Sequence, residues 1–117
     1  MMRSYRDLLA WQRAMDLVTI VYRVTRDWPK EELYGLTSQV RRAAVSVPAN
    51  MAEGQGRTGS REFLHHLSIA NGSLCEVQTL ILIAQRLGYV DETMGDDLIN
   101  QTTNLAKPLG GLMKSLR

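Results

Sequence analysis

The stretch that decides the fold runs from Gln39 to Arg57 and reads QVRRAAVSVPANMAEGQGR. Successive residues of an ideal helix are separated by about 100°, so residues three and four apart share one face. This spacing sets a polar row, Gln39, Arg42, Ser46, Asn50 and Glu53, beside an apolar row, Val40, Ala43, Ala44, Val47 and Met51. A polar row in this position borders the core. Its side chains therefore need hydrogen-bond partners from other helices or other subunits.

The same spacing of three and four residues recurs along the whole chain and predicts four helices. Their expected ranges are about 7–27, 30–54, 60–87 and 91–115. Pro48 lies inside the second pattern, where it should kink the helix. Gly88 is expected to end the third helix and Asp91 to cap the fourth. Since no pattern indicates a strand, the sequence predicts an all-α fold, an up-and-down antiparallel four-helix bundle with residues 1–117 in one domain.

The composition is that of an ordinary globular chain, because 44% of its 117 residues are hydrophobic and 22% are charged. Eleven of the fourteen cations are arginine. This side chain suits phosphate or carboxylate recognition, and it equally suits surface ion pairs. The single cysteine, Cys75, excludes an internal disulfide and fits a reducing compartment. The run Leu80–Ala84 is far shorter than a membrane span, so we expect a cytoplasmic protein without membrane contact.

The loop after the second helix matches G-x-G-x-x-G over residues 54–59. A dinucleotide-binding loop needs a strand before it, whereas a predicted helix precedes this one, so we reject that interpretation. Ser60 is a candidate N-cap for the third helix. Free backbone N–H groups there, flanked by Arg57 and Arg61, could hold a phosphate or a carboxylate. The alternative is a plain helix-start turn with solvated arginines.

The apolar faces of the first and third helices are wider than a monomeric bundle would bury, which favours self-association. Glu76 lies within a second aliphatic row of the third helix, formed with Ile69, Leu80, Ile83 and Leu87. A carboxylate in such surroundings needs a partner, and Arg42 is the best-placed cation. We therefore expect Glu76 to join the polar row as part of a seam within the bundle or its oligomer.

The sequence offers no catalytic, cofactor or metal site. His65 and His66 are adjacent, so they point about 100° apart on a helix and cannot chelate one metal together. Ser46, Asn50 and Glu53 could imitate a catalytic row, yet no histidine joins that face of the second helix. Hydrogen bonding between helices or subunits explains the row better. No small-molecule substrate is evident.

Three segments carry a resemblance to a known family: YRDLLAWQRAMDLV, ELYGLTSQVRRAAVSVPANMAEGQGR and EFLHHLSIANGSLCEVQTLILIAQRLGY. They resemble the bacterial 23S rRNA-intervening-sequence proteins, most specifically over the polar row and next over Gly72, Ser73 and Glu76. The resemblance implies a four-helix bundle that assembles as a ring-shaped homopentamer. It also implies no established enzymatic activity and a suspected association with nucleic acid.

Three functional hypotheses remain open at this stage. The first is a non-enzymatic homo-oligomer that contacts RNA or DNA backbone through Arg41, Arg57 and Arg61, expected to be exposed. The second is a protein-interaction scaffold or accessory subunit whose arginines serve only ion pairs. The third, a hydrolase, would need a metal or a perturbed acid in a pocket, and no motif points to one.

Overall fold

The computed structural model describes residues 4–117, which form four α-helices. The helices are α1 (Leu9–Thr25), α2 (Leu36–Gln55), α3 (Ser60–Arg86) and α4 (Glu92–Ser115). Short 3-10 helices, Tyr5–Asp7 and Lys30–Glu32, precede α1 and α2. The described residues contain no strand, so the predicted all-α fold with four helices is confirmed.

Each helix packs against the next one along the chain, and α1 also packs against α4, which closes the bundle. The contact between α2 and α3 is the most extensive of these. The largest fully buried side chains come from all four helices: Leu17, Val21, Val40, Val47, Met51, Leu67, Leu74, Val77, Ile81, Leu98, Leu105 and Leu109. The α2 contributors to this core, Val40, Val47 and Met51, belong to the apolar row predicted for that helix, so the polar row of α2 lies at the edge of the core.

The start of α2 differs from the prediction. The chain makes a 3-10 turn at Lys30–Glu32 and enters α2 only at Leu36, because Gly35 has a non-helical backbone with φ −118° and ψ −114°. The Glu32 carboxylate explains this late start, since its Oε1 accepts a hydrogen bond of 3.1 Å from the Leu36 N–H. Its Oε2 accepts another of 2.9 Å from the hydroxyl of Tyr89. Glu32 thus caps α2 and ties this corner to the α3–α4 connection.

Two of the predicted helix ends are confirmed and one is wrong. Asp91 caps α4 by accepting a 2.7 Å hydrogen bond from the Met94 N–H, and Gly88 ends α3 with φ 77°. Ser60 is the first residue of α3 and does not cap it, because Gly59 at φ 99° occupies the cap position. A positive φ at this position favours glycine.

The helix α3 is long and apolar enough to cross a membrane when only length and composition are considered. The core helix of a bundle meets the same criterion, and Leu67, Leu74 and Ile81 of α3 are almost completely buried against the other helices. The absence of a membrane-spanning segment therefore stays a prediction.

Candidate functional site: the groove between α2 and α3

The middle of the polar row contacts α3 directly. The hydroxyl oxygens of Ser46 and Ser73 are 2.8 Å apart, which links the two helices. The Asn50 side-chain amide donates to the backbone oxygen of Ser46 at 2.9 Å and to its hydroxyl at 3.0 Å. Ser46 and Asn50 are both half-buried. Their polar groups are therefore satisfied at the edge of the core, as buried polar groups generally must be.

A histidine joins this network, contrary to the expectation from sequence. The His66 Nδ1 lies 3.2 Å from Asn50 Oδ1 and 4.0 Å from Glu53 Oε2, and only 15% of the His66 side chain is exposed. Helical spacing within α2 could not reveal a partner that α3 supplies. The available signal was Gly54, where an added Cβ would stand 2.5 Å from the Cβ of His66. The glycine permits the close helix approach that brings His66 to Asn50.

Glu53 and Arg57 end this network with an ion pair at the surface. The Arg57 Nη2 and Glu53 Oε1 are 2.9 Å apart, and about half of each side chain is exposed, 50% and 53%. The hydrogen bond from Arg57, together with the nearby His66, lowers the pKa of Glu53. Ser46, Asn50, Glu53 and their partners Ser73, His66 and Arg57 will be called the bonded end of the row.

The other end of the row is open. Gln39, Arg42 and Glu76 line a groove of about 400 Å³ between α2 and α3, together with Ala43 and the two bonded serines. All three side chains are exposed. Over the part of the chain that the structure describes, neither Arg42 nor Glu76 has an ion-pair partner within 4.0 Å. Gln39, Arg42 and Glu76 will be called the open end.

The predicted pair of Glu76 with Arg42 is therefore wrong within one protomer. Glu76 lies on the outer flank of α3, where water solvates the carboxylate and no desolvation cost demands a partner. The sequence pattern placed it among aliphatic residues correctly, but several of those neighbours are themselves exposed. Ile69, Ile83 and Leu87 have 41%, 40% and 54% of their surfaces accessible.

These neighbours form an apolar stripe beside the open end. By helical spacing, Ile69, Glu76, Ile83 and Leu87 fall within about 40° of one another on α3. An added Cβ at Gly72, in the same region of the helix, would meet no atom within 4 Å. On α1, Leu9, Met15 and Tyr22 are also exposed. Both helices thus carry apolar surface that this protomer does not bury.

The three arginines proposed to contact nucleic acid lie in different environments. Arg41 is half-buried between α1 and α2, which contradicts its expected exposure. Its Nε donates to the Thr25 hydroxyl at 2.8 Å, and its guanidinium carbon lies 4.7 Å from the centre of the Tyr22 ring. Arg57 is exposed but paired with Glu53. Arg61 is exposed in the first turn of α3 and has no side-chain partner among residues 4–117.

The geometry of the bonded end is that of a structural network. Ser46 bonds to Ser73 and Asn50, and within the described chain its hydroxyl does not contact His66. A serine nucleophile requires such a contact with its base. Among residues 4–117 no three His, Cys, Asp or Glu side chains stand close enough to hold a metal ion. What the arrangement does chemically is to fix α2 on α3.

Comparison with known proteins identifies the family of this chain. A sequence model of the 23S rRNA-intervening sequence proteins matches residues 6–111. The chain belongs to this family. The bundle of this family member also matches the crystal structure of a protein of unknown function from the S23 ribosomal protein family of Bacteroides thetaiotaomicron, with a TM-score of 0.84 over 91% of this chain and 96% of that one. At 18% identity, this likeness shows the fold alone. No curated protein matches the chain.

Proposed function

We propose that this family member is a non-enzymatic, homo-oligomeric helical module that binds the backbone of RNA or DNA through surface arginines. The two parts of the proposal rest on different surfaces. Self-association rests on the open end of the polar row and the apolar stripe of α3. Nucleic-acid binding rests on the α2–α3 turn.

The observation that supports self-association is the coincidence of apolar surface with unpaired charge. A neighbouring copy would bury the exposed apolar surface of Ile69, Ile83 and Leu87. Removing this surface from water favours association. Arg42 and Glu76, beside them, offer one charge of each sign to groups on that copy. Such pairs fix the orientation of two subunits more than they add affinity. A ring-shaped homopentamer is the assembly that we propose, following the family resemblance.

The observation that supports nucleic-acid binding is Arg61, an exposed cation in the first turn of the 27-residue helix α3 that has no side-chain partner within the described part of the chain. The helix N-terminus carries a partial positive charge and free N–H groups, so an anion there is stabilised. Arg57 lies on the same turn and can exchange its Glu53 partner for a phosphate. In an oligomer each copy repeats this turn, and several weak phosphate contacts then act together.

A protein-interaction scaffold without nucleic-acid contact is the second candidate, and a specific observation favours it. Arg41 is bonded within the bundle and Arg57 is paired with Glu53, so two of the three proposed arginines already have partners. In this case the apolar stripe of α3 would dock a different protein. A cytoplasmic location, which we also propose, is compatible with both functions because the single thiol of Cys75 suits a reducing compartment.

A salt titration of binding to a structured RNA separates the two candidates. We expect the logarithm of the association constant to fall linearly with the logarithm of salt concentration, as phosphate neutralisation requires. Replacing Arg61 by Gln should reduce that slope by about one, whereas Lys107→Gln, which removes an exposed cation from α4, should leave it unchanged. Absence of binding even at the lowest salt concentration would exclude the nucleic-acid function and favour the scaffold.

Native mass spectrometry, before and after nuclease treatment, tests the assembly itself. The full-length protein should appear as a homo-oligomer in both samples, with additional mass from nucleic acid only in the untreated one. A monomeric mass at micromolar concentration would contradict self-association. An oligomer that loses its assembly after nuclease treatment would show that nucleic acid, and not the α3 stripe, holds the copies together.

A further inference from the structure

A second, half-open cavity of about 250 Å³ lies at the corner between α1 and α2, on the opposite flank of α2 from the groove described above. Its walls come from the end of α1, the 3-10 turn and the first two turns of α2. The polar groups that matter are the cations Arg26, Lys30 and Arg41 and the hydroxyls of Thr25 and Thr37. Trp28 and two other apolar residues complete the wall.

The charge of this cavity is entirely positive. Among residues 4–117, three cations line it and no carboxylate does, whereas the α2–α3 groove has one cation and one carboxylate. Glu32 is near in sequence, but its carboxylate is occupied by the Leu36 N–H and the Tyr89 hydroxyl. Three guanidinium or ammonium groups around one cavity repel one another unless an anion lies between them. The cavity is therefore complementary to a negatively charged ligand.

Two polar groups without a hydrogen-bond partner among residues 4–117, the Trp28 indole nitrogen and the Thr37 hydroxyl, point to the same conclusion. Thr37 is only 3% exposed and lines the cavity, yet its side chain makes no hydrogen bond within residues 4–117. The indole nitrogen of Trp28, in the same wall, is buried and also lacks an acceptor there. A buried polar group without a partner, such as the Trp28 nitrogen, destabilises a fold, so native structures rarely keep one without a reason. A ligand that accepts hydrogen bonds would supply what the Thr37 hydroxyl lacks.

Arg41 is held in place for this role. The Thr25 hydroxyl accepts from Arg41 Nε at 2.8 Å and donates to the backbone oxygen of Val21 at 2.7 Å. The Tyr22 ring lies beneath the guanidinium, with its centre 4.7 Å from the guanidinium carbon. Arg41 Nη2 also donates to the backbone oxygen of Tyr22 at 3.5 Å, and among residues 4–117 the N–H groups of Nη1 have no partner. A guanidinium fixed in this way loses little conformational entropy when it binds an anion.

We propose that this cavity is a binding site for a phosphate monoester, held by Arg26, Lys30 and Arg41 with a hydrogen bond to the Thr37 hydroxyl. A monoester carries about two negative charges at neutral pH and three acceptor oxygens, which matches three cations and a hydroxyl better than a carboxylate does. The phosphate belongs either to the end of a nucleic-acid strand or to a small molecule. The site is separate from Arg57 and Arg61, so it does not depend on the proposed backbone binding.

Isothermal titration of the full-length protein with inorganic phosphate tests the site. We expect saturable binding that weakens about tenfold in Arg26→Gln and in Lys30→Gln, since each variant loses a charge-assisted hydrogen bond. Arg23→Gln is the control, because Arg23 is an exposed cation near the end of α1 that does not line the cavity, and the phosphate affinity of this variant should stay within about twofold of the wild type. Thr37→Val keeps the side-chain shape and removes only the hydroxyl. It should also weaken binding.

Two oligonucleotides, one with a 5′-phosphate and one with a 5′-hydroxyl, distinguish the sources of the phosphate. If the wild type prefers the phosphorylated strand and Lys30→Gln abolishes that preference, the phosphate belongs to the end of a nucleic-acid strand. If the two strands bind equally while inorganic phosphate binds saturably, the phosphate belongs to a small molecule. The site is disproved if the wild type shows no saturable phosphate binding, or if Arg23→Gln loses as much affinity as Arg26→Gln. The variants Arg57→Gln and Arg61→Gln should bind inorganic phosphate as the wild type does, which would show that this site is distinct from the proposed backbone-binding turn.

Discussion

The bonded end and the open end each combine hydrophilic residues of α2 with residues of α3, yet only the bonded end forms hydrogen bonds between the two helices. At the bonded end, Ser46 and Asn50 are half-buried and bonded to Ser73 and His66 of α3. At the open end, Arg42 and Glu76 line the same groove, and no ion pair forms between them. A hydrophilic side chain that borders the core is therefore bonded within the protomer at one end and exposed to solvent at the other.

The glycines near the two ends show why. At Gly54 the helices approach so closely that an added Cβ would stand 2.5 Å from His66 Cβ. At Gly72 the same addition meets no atom within 4 Å, because this side of α3 is open. Close approach lets short side chains bond across the helices, and an open flank leaves long charged ones in water. The following predictions test this contrast, from the largest expected effect to the smallest.

Gly54→Ala should lower the free energy of unfolding by about 1–3 kcal/mol, since the new methyl group must push His66 and α3 away from α2. Urea unfolding at a fixed protein concentration measures it. Gly72→Ala is the control: with open space around it, the alanine should raise the free energy of unfolding by about 0.5–1 kcal/mol through its better helix propensity. Equal destabilisation by the two alanines would contradict the contrast.

Asn50→Ala should lower the free energy of unfolding by about 1–2 kcal/mol, because it removes three hydrogen-bond contacts and leaves Ser46 and His66 incompletely paired. Gln39→Ala, at the open end of the same row, should change it by less than about 0.5 kcal/mol. The same urea experiment compares them. A Gln39 effect as large as that of Asn50 would mean that the open end is also structural within one copy.

Arg42→Glu and Glu76→Arg should each shift the assembly toward monomer while changing protomer stability by no more than about 0.5 kcal/mol. Charge reversal at an interface places like charges together, whereas reversal on a free surface has little consequence. Native mass spectrometry across a dilution series measures the shift, and urea unfolding checks the protomer. An unchanged mass distribution in both variants would remove the open end from the proposed interface.

Arg57→Gln should raise the pKa of Glu53 toward its ordinary value, because the Arg57 hydrogen bond is the main cause of the lowered pKa. In the wild type the folded pKa lies below the unfolded one. The interaction therefore stabilises the fold above the unfolded pKa and is lost as pH falls through the folded pKa. An NMR titration of the Glu53 carboxyl carbon measures the change. Arg61→Gln should leave this titration unaltered, and an equal response to both variants would refute the pairing.

Helical spacing identified elements that depend on neighbours along the chain. The apolar row of α2, the Asp91 cap and the left-handed Gly88 all follow from such local rules, and the structure confirms them. The spacing of apolar residues did not indicate the late start of α2. That start depends on the Glu32 side chain, which lies in the preceding turn and accepts a hydrogen bond from the Leu36 N–H. The Ser60 cap was wrong because a glycine could occupy that position at positive φ.

The candidate site was predicted less well, for a related reason. The polar row was identified, but which of its members would be bonded depended on α3. His66 reaches Asn50 through a contact between residues sixteen positions apart, and Arg41 reaches Thr25 across the same separation. Arg41 was expected to be exposed and is half-buried, whereas Arg42 was expected to pair with Glu76 and is exposed. This difference depends on which flank of α2 meets α1. Periodicity within a single helix does not contain that information.

The sequence alone determined that the chain forms four helices, which faces of α2 and α3 are apolar, and that a polar row borders the core. These properties follow from side-chain period, capping and propensity, which act within a few residues. Only the tertiary structure decided that Asn50 would bond to His66, that Glu76 would have no ion-pair partner among residues 4–117, and that three cations would line the same cavity as Thr37. Each of these depends on the distance and rotation between packed helices, which close packing of the whole core sets.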